Sequence, residues 1–264
     1  MVAGPEWSVD LADARVLIVN DDGITAPGLL LLEKLLRPVV RELWSVAPEK
    51  EESGTGHAFS LHRPVRMRHA GERRFAVEGL PTDAAIMALG VAMADAPPDL
   101  VVSGVNRGAN IGDDVTYSGT VGAAIEAALS GFPAIALSLD RIPPADAEWE
   151  TVERHLHETL AWALSMHWPR GAVVNINFPA VKPDEVRGRR VTRLGRRKPG
   201  GEIIAGMDPA GRPYHWISSK RIVGDIAPDS DVQAAADGYI SLTPLTYDLT
   251  DEATLARARE RLTA

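Results

Sequence analysis

Two adjacent acids, Asp21 and Asp22, stand where an apolar run gives way to a glycine, in the stretch RVLIVNDDGITAPG. Neighbouring side chains on a regular strand point to opposite faces, so two carboxylates converge only where the strand has ended and the backbone is turning. Gly23 permits such a turn. At about 4 Å two like charges repel by roughly 1 kcal/mol in water and roughly 4 kcal/mol at an effective dielectric of 20. A cation between them removes that cost. Further oxygen groups follow: the hydroxyl of Ser53 in APEKEESGTGH and the amide of Asn106 in SGVNRGANIGDD. Asp21, Asp22, Ser53 and Asn106 make a hard-oxygen set suited to one Mg²⁺ or Mn²⁺, ions that keep several waters for a substrate phosphate to displace. Zinc prefers histidine or thiolate. The chain has no cysteine, and of its seven histidines only His57 lies in a polar cluster, with no HExxH partner.

The segment YSGTVGAAIEAAL, Tyr117 to Leu129, has small residues at a helix start. They allow close helix packing, or they expose backbone N–H groups that attract an anion. Beside a divalent site the second reading is favoured, with Asn110, Ser118, Gly119 and Thr120 as candidate phosphate contacts. Rival templates fail on spacing. No GxGxxG follows the first apolar run, and no GxxxxGK[ST] loop or GxSxG elbow occurs. A DxD nucleophile needs acids two apart, whereas Asn20 stands two before Asp22 and Gly23 two after Asp21.

These residues need elements to carry them. Apolar β-rich runs alternate with helical stretches beginning at Pro27, at Pro81 and around Glu148, the signature of an α/β fold with a mostly parallel sheet covered on both faces. Every polar cluster falls where such a strand ends, the edge at which open sheets bind ligands. After Ala180 the chain turns basic and turn-rich; YHWISSKRIVG and GYISLTPLTYDL read as strands and TDEATLARARERL as a helix capped by Thr250 or Asp251. The organisation expected is a catalytic core over 15–180, then a hairpin arm, returning strand and C-terminal helix over 181–264. Within that arm, Arg187 to Lys198 holds seven basic residues in twelve. It reads as a solvated arm or as an attractor of polyphosphate.

With 264 residues, 45% of them apolar, the chain is long enough to bury a large core. A formal net charge of −8 argues against a general nucleic-acid or membrane binder. No run resembles a signal peptide or a membrane span, so a cytoplasmic location is expected.

Together, VLIVNDDGITAPGL, VAPEKEESGTGHAFSL, PDLVVSGVNRGANIGDDVTYSGTVGAAIEAALSGFPAIALS, VVNINFP and SDVQAAADGYISLTPLTYDLT resemble the survival protein SurE family, over roughly Val16 to Thr250. The resemblance implies a Rossmann-like three-layer core with a projecting hairpin and C-terminal segments used in homodimer or homotetramer assembly. It implies a metal-dependent nucleotidase and phosphatase acting on nucleoside 5′- and 3′-monophosphates, with exopolyphosphatase activity in some members. It also places the metal on Asp21, Asp22, Ser53 and Asn106, the set reached from their chemistry. Leu80 stands where many members carry threonine, and Ala84 where many carry cysteine. The alternative from another class is a non-catalytic nucleotide-binding regulatory protein.

Overall fold

Asp21 and Asn106 are brought together by strand order. In this computed structural model, which describes residues 6–140, 149–224 and 226–263, the apolar runs become β1 (Arg15–Val19), β2 (Glu42–Pro48), β3 (Met67–Gly71), β4 (Arg74–Val77), β5 (Leu100–Arg107), β6 (Ala134–Leu139) and β7 (Val173–Phe178). The last third adds β8 (Arg189–Val191) and β9 (Ile240–Leu245). All nine form one sheet in the order β8-β9-β7-β6-β5-β1-β2-β4-β3. β1, β2, β4, β5, β6 and β7 are parallel. β3 pairs antiparallel with β4 at one edge, while β9 pairs antiparallel with β7 and parallel with β8 at the other. The six parallel strands lie in the order third, second, first, fourth, fifth, sixth. That is the doubly wound Rossmann-like arrangement, whose direction reverses between β1 and β5. Asp21 follows β1, and Asn106 is the penultimate residue of β5.

Helices cover both faces because β1 alternates its side chains. Val16 and Ile18 pack with Leu29, Leu32 and Leu36 of α1 (Pro27–Leu36) and with Val152, Leu156 and Leu160 of the long helix Trp149–Ser165. Leu17 and Val19 pack with Ala84 and Ala85 of α2 (Pro81–Met87) and with Val121, Ala124 and Ala128 of α3 (Gly119–Leu129). Each fully buried Val or Leu stabilises the fold by about 1.5–3 kcal/mol. Trp149–Ser165 is α4; Glu148, where a helix was expected to begin, lies outside the described residues. Two further helices complete the chain, the short α5 (Asp231–Ala236) and the terminal α6 (Glu252–Thr263). Asp251 caps α6: its carboxylate accepts the Thr254 N–H at 2.9 Å and hydroxyl at 2.7 Å.

The last third differs from expectation in one respect. YHWISSKRIVG is two strands, because the Ser218 hydroxyl accepts the Lys220 N–H and turns the chain. Pro213–Ile217 pairs with Ile203–Met207 to make the projecting hairpin, and Ile222–Val223 pairs with Arg197–Lys198. The returning strand, β9, is not appended to a finished sheet; it lies between β7 and β8 with Ile240 and Leu242 buried. Among the described residues no helix is long and apolar enough to cross a membrane.

Candidate active site

The loop after β1 is shaped by Asn20. Its Oδ1 accepts the Gly23 N–H at 3.1 Å and its Nδ2 donates to the Gly23 carbonyl at 3.0 Å. Gly23 takes φ 105°, a conformation that side chains oppose. Asp21 and Asp22 then part company. Asp21 is 3% exposed and its Oδ1 accepts the Thr120 hydroxyl at 2.6 Å. Asp22 Oδ2 accepts the Arg107 N–H at 3.3 Å. Burial pushes the Asp21 carboxyl up to about 6; the Thr120 hydrogen bond opposes the rise and the Asp22 charge adds to it. A carboxylate whose ionised form is opposed by both burial and a negative neighbour gains most from a cation.

Asn106 reaches the same place through a bulge. The pairing of β5 with β6 shifts between Ser103 and Asn106, and such irregularities re-aim side chains beside active sites. Gly104 lies within it at φ 132°, so close to β6 that an added Cβ would stand 2.2 Å from the Leu137 carbonyl oxygen. Asn106 Nδ2 donates to the Gly108 carbonyl at 2.7 Å, which commits the amide's N–H side, so the oxygen is the atom that could meet a cation.

Ser53 comes from the loop after β2, where its hydroxyl donates to Glu51 Oε1 at 3.0 Å. Backbone bonds moor this loop: the Glu52 N–H donates to the Asp21 carbonyl at 2.9 Å, and the Gly56 N–H to the Tyr117 carbonyl at 2.9 Å. Further along, the Asp83 carboxylate accepts the Ser60 N–H at 2.8 Å, the Ser60 hydroxyl at 2.7 Å and the Leu80 N–H at 2.8 Å. The Leu80 position thus serves the loop through its backbone.

The close-packing reading of the small residues in α3 holds. A Cβ on Gly119 would lie 2.9 Å from Asp21 Cβ, and one on Gly122 would lie 2.3 Å from the Gly56 carbonyl oxygen, so the glycines admit the two loops. Ser118 caps the helix, its Oγ accepting the Val121 N–H at 3.1 Å, and the positive end of α3 is turned to the same region.

Asp21, Asp22, Ser53, Asn106, Asn110 and Ser118 line one cavity of about 990 Å³. Gly119 and Thr120 are not in that lining; Thr120 is fully buried and its hydroxyl is engaged with Asp21. Asn110 is gripped by a buried amide network. Its N–H donates to Asn177 Oδ1 at 2.8 Å, its Nδ2 to the Ser138 hydroxyl at 2.9 Å, and its carbonyl accepts from Asn175 Nδ2 at 2.8 Å. Sequence reasoning missed Asn175 and Asn177, although two asparagines at alternate positions of a buried strand were a usable signal. It also missed Tyr117, Trp149, Arg197 and Arg221 as members of the lining.

Among the described residues no three His, Cys, Asp or Glu side chains cluster as a metal site. The donors here are instead two carboxylates with an alcohol and an amide, a set that suits a hard cation completed by water and phosphate. A relative from Paramagnetospirillum magneticum named 5′-nucleotidase SurE is 45% identical over 91% of this chain and 93% of its own length. A relative of the same name from Rhizorhabdus wittichii is 46% identical over 92% of this chain and 97% of its own. The crystal structure of the SurE protein from Aquifex aeolicus superposes with a TM-score of 0.80 at 32% identity, covering 95% of this chain and all of that one. The family model described as survival protein SurE matches residues 16–200, and the chain belongs to that family.

Proposed function

We propose that the cavity is the active site of a divalent-metal-dependent phosphomonoesterase that hydrolyses nucleoside monophosphates to nucleoside and phosphate. The observation that carries this reading is the buried Asp21 beside Asp22, set at the reversal of strand order and opposite the N-terminus of α3. A buried carboxylate beside a second acid attracts a cation, and a helix N-terminus attracts an anion. The names of the relatives, 5′-nucleotidase SurE, support the same substrate class.

Asp21, Asp22, Ser53 and Asn106 are the residues that would hold Mg²⁺ or Mn²⁺. When bound, such an ion neutralises phosphate charge and lowers the pKa of a water. Ser118 and Asn110, which line the cavity, stabilise the phosphoryl oxygens; loss of one such donor typically costs about 10²- to 10³-fold in turnover. Asp21 or Asp22 accepts the proton of the attacking water. The DxD spacing is absent and the chain has no cysteine, so water attacks phosphorus directly and no phosphorylated enzyme forms. Direct attack inverts configuration at phosphorus, and net retention with a chiral labelled substrate contradicts it. The protein acts in the cytoplasm as a homodimer or homotetramer assembled through the arm.

The functional test is phosphate release from a panel of nucleoside 5′- and 3′-monophosphates with Mn²⁺ or Mg²⁺ present. Release from at least one member is expected. Binding of nucleotide without release across the panel would instead identify a regulatory nucleotide-binding protein.

A further inference from the structure

The basic run from Arg187 to Lys198 is largely matched with acids. Arg189 pairs with Glu158 at 2.7 Å, Arg190 with Asp237 at 2.8 Å and Arg196 with Asp113 at 3.5 Å. Arg197 differs, because it lines the cavity that holds Asp21, Asp22 and Ser118, and its side chain is only 18% exposed. Arg221, from the far end of the arm, lines the same cavity. Both converge on Asp114: Arg221 Nε lies 3.0 Å and Arg197 Nε 3.5 Å from its Oδ2. Two guanidinium groups therefore share one buried carboxylate, and this wall of the cavity keeps a surplus of positive charge. A second half-buried cation costs desolvation that one shared carboxylate does not fully offset, and an anion completes the set.

The wall is also held rigidly against the phosphate end. Asp113 Oδ2 accepts the Arg197 N–H at 3.0 Å, and Asp231 accepts the Gly112 N–H at 2.9 Å and the Gly195 N–H at 2.7 Å. A Cβ on Gly112 would lie 3.1 Å from the Arg197 nitrogen. The turn that begins at Gly112 leads through Thr116 to Ser118, the cap of α3. At about 990 Å³ the cavity is near the top of the roughly 300–1,000 Å³ range of small-ligand sites, so it has room beyond one phosphoryl group.

We propose that Arg197 and Arg221 form a second anion subsite in this cavity, which takes the second phosphoryl group of a substrate carrying two or more. A nucleoside 3′,5′-bisphosphate and a condensed phosphate chain share that chemistry. The inference rests on the reading above, in which the Asp21 and Ser118 end holds the scissile phosphoryl group. Each arginine turns Nε to Asp114, and Arg221 Nη1 donates to the Ser219 carbonyl at 2.9 Å, so Arg221 Nη2 and the terminal nitrogens of Arg197 are the groups a phosphoryl oxygen meets.

The test compares kcat/KM of the full chain with Mn²⁺ on AMP, adenosine 3′,5′-bisphosphate and tripolyphosphate, for the wild type, Arg221→Gln and Arg197→Gln. Arg221→Gln is the primary variant, because Arg221 is the more exposed of the two and its loss spares the backbone ties of the arm. The variants lower kcat/KM on a two-phosphate substrate by about tenfold to a hundredfold more than on AMP, the range expected of a charge-assisted hydrogen bond. Whichever of the two substrates shows the larger loss identifies the source of the second group. Equal losses on AMP and on both two-phosphate substrates overturn the proposal, leaving the arginines as supports of the arm. A wild type that hydrolyses AMP and neither of the others overturns it too. A wild type that hydrolyses none of the three fails at the phosphatase reading itself.

Discussion

Thr120 and Asp21 act as a pair. Asp21 is buried beside another acid, and the Thr120 hydroxyl at 2.6 Å is the contact that most favours its ionised form. Partners that orient a metal ligand from behind typically contribute about 10- to 100-fold in metal affinity. Thr120→Val is therefore expected to raise the Mn²⁺ concentration for half-maximal activity by about that factor, while Thr120→Ser holds it near the wild-type value. A metal titration of activity on folded protein reads this directly, and a Val variant that titrates like the wild type would reduce Thr120 to core packing. The roles of single residues were unequally legible in the sequence. Asp21, Asp22, Ser53 and Asn106 stood out because a polar group at a strand end has no packing reason to be there, and Ser118 because it opens a helix. Thr120 was read as a phosphate contact, since a sequence does not reveal which side of a first helical turn meets a neighbouring loop. Arg221 had no local signal; its place depends on how the arm folds back.

Among the elements, α3 determines how closely the two loops approach. A Cβ at position 122 would lie 2.3 Å from the Gly56 carbonyl oxygen, a backbone atom with little freedom to retreat. Gly122→Ala is expected to destabilise the protein by about 1–3 kcal/mol, as overpacking does, and to raise the metal requirement by displacing the Ser53 loop. Thermal unfolding checks the first effect and metal titration the second. Gly90→Ala is the control, since its Cβ meets nothing within 4 Å. A Gly122→Ala variant as stable as that control would show that the loops have slack. The parallel strands were readable from apolar runs with β-branched residues, because burial on both faces leaves no alternation to confuse the pattern. The run from Tyr214 to Gly224 was not, since Ser218 breaks it with one side-chain hydrogen bond that propensity does not register.

For the whole molecule, the nine-stranded sheet fixes the crevice while the hairpin is left standing away from it. Ile203 is 68% exposed, Trp216 67% and Ile217 76%. A two-stranded hairpin is marginal by itself in water, and apolar residues so exposed are expected to pack on a second copy. Sedimentation at micromolar concentration is expected to show at least a dimer, with Ile203→Glu plus Trp216→Glu giving folded monomers. A monomeric wild type contradicts this. Truncation from Val232 is a poor probe of assembly, because it removes β9 from between β7 and β8. The central claim is that the strand-order reversal holds a metal-dependent phosphatase. It is tested most directly by phosphate release from AMP after exhaustive chelation and dialysis, and again after Mn²⁺ or Mg²⁺ is restored. No release without metal and full release with it are predicted, and undiminished release from the chelated protein would contradict the account.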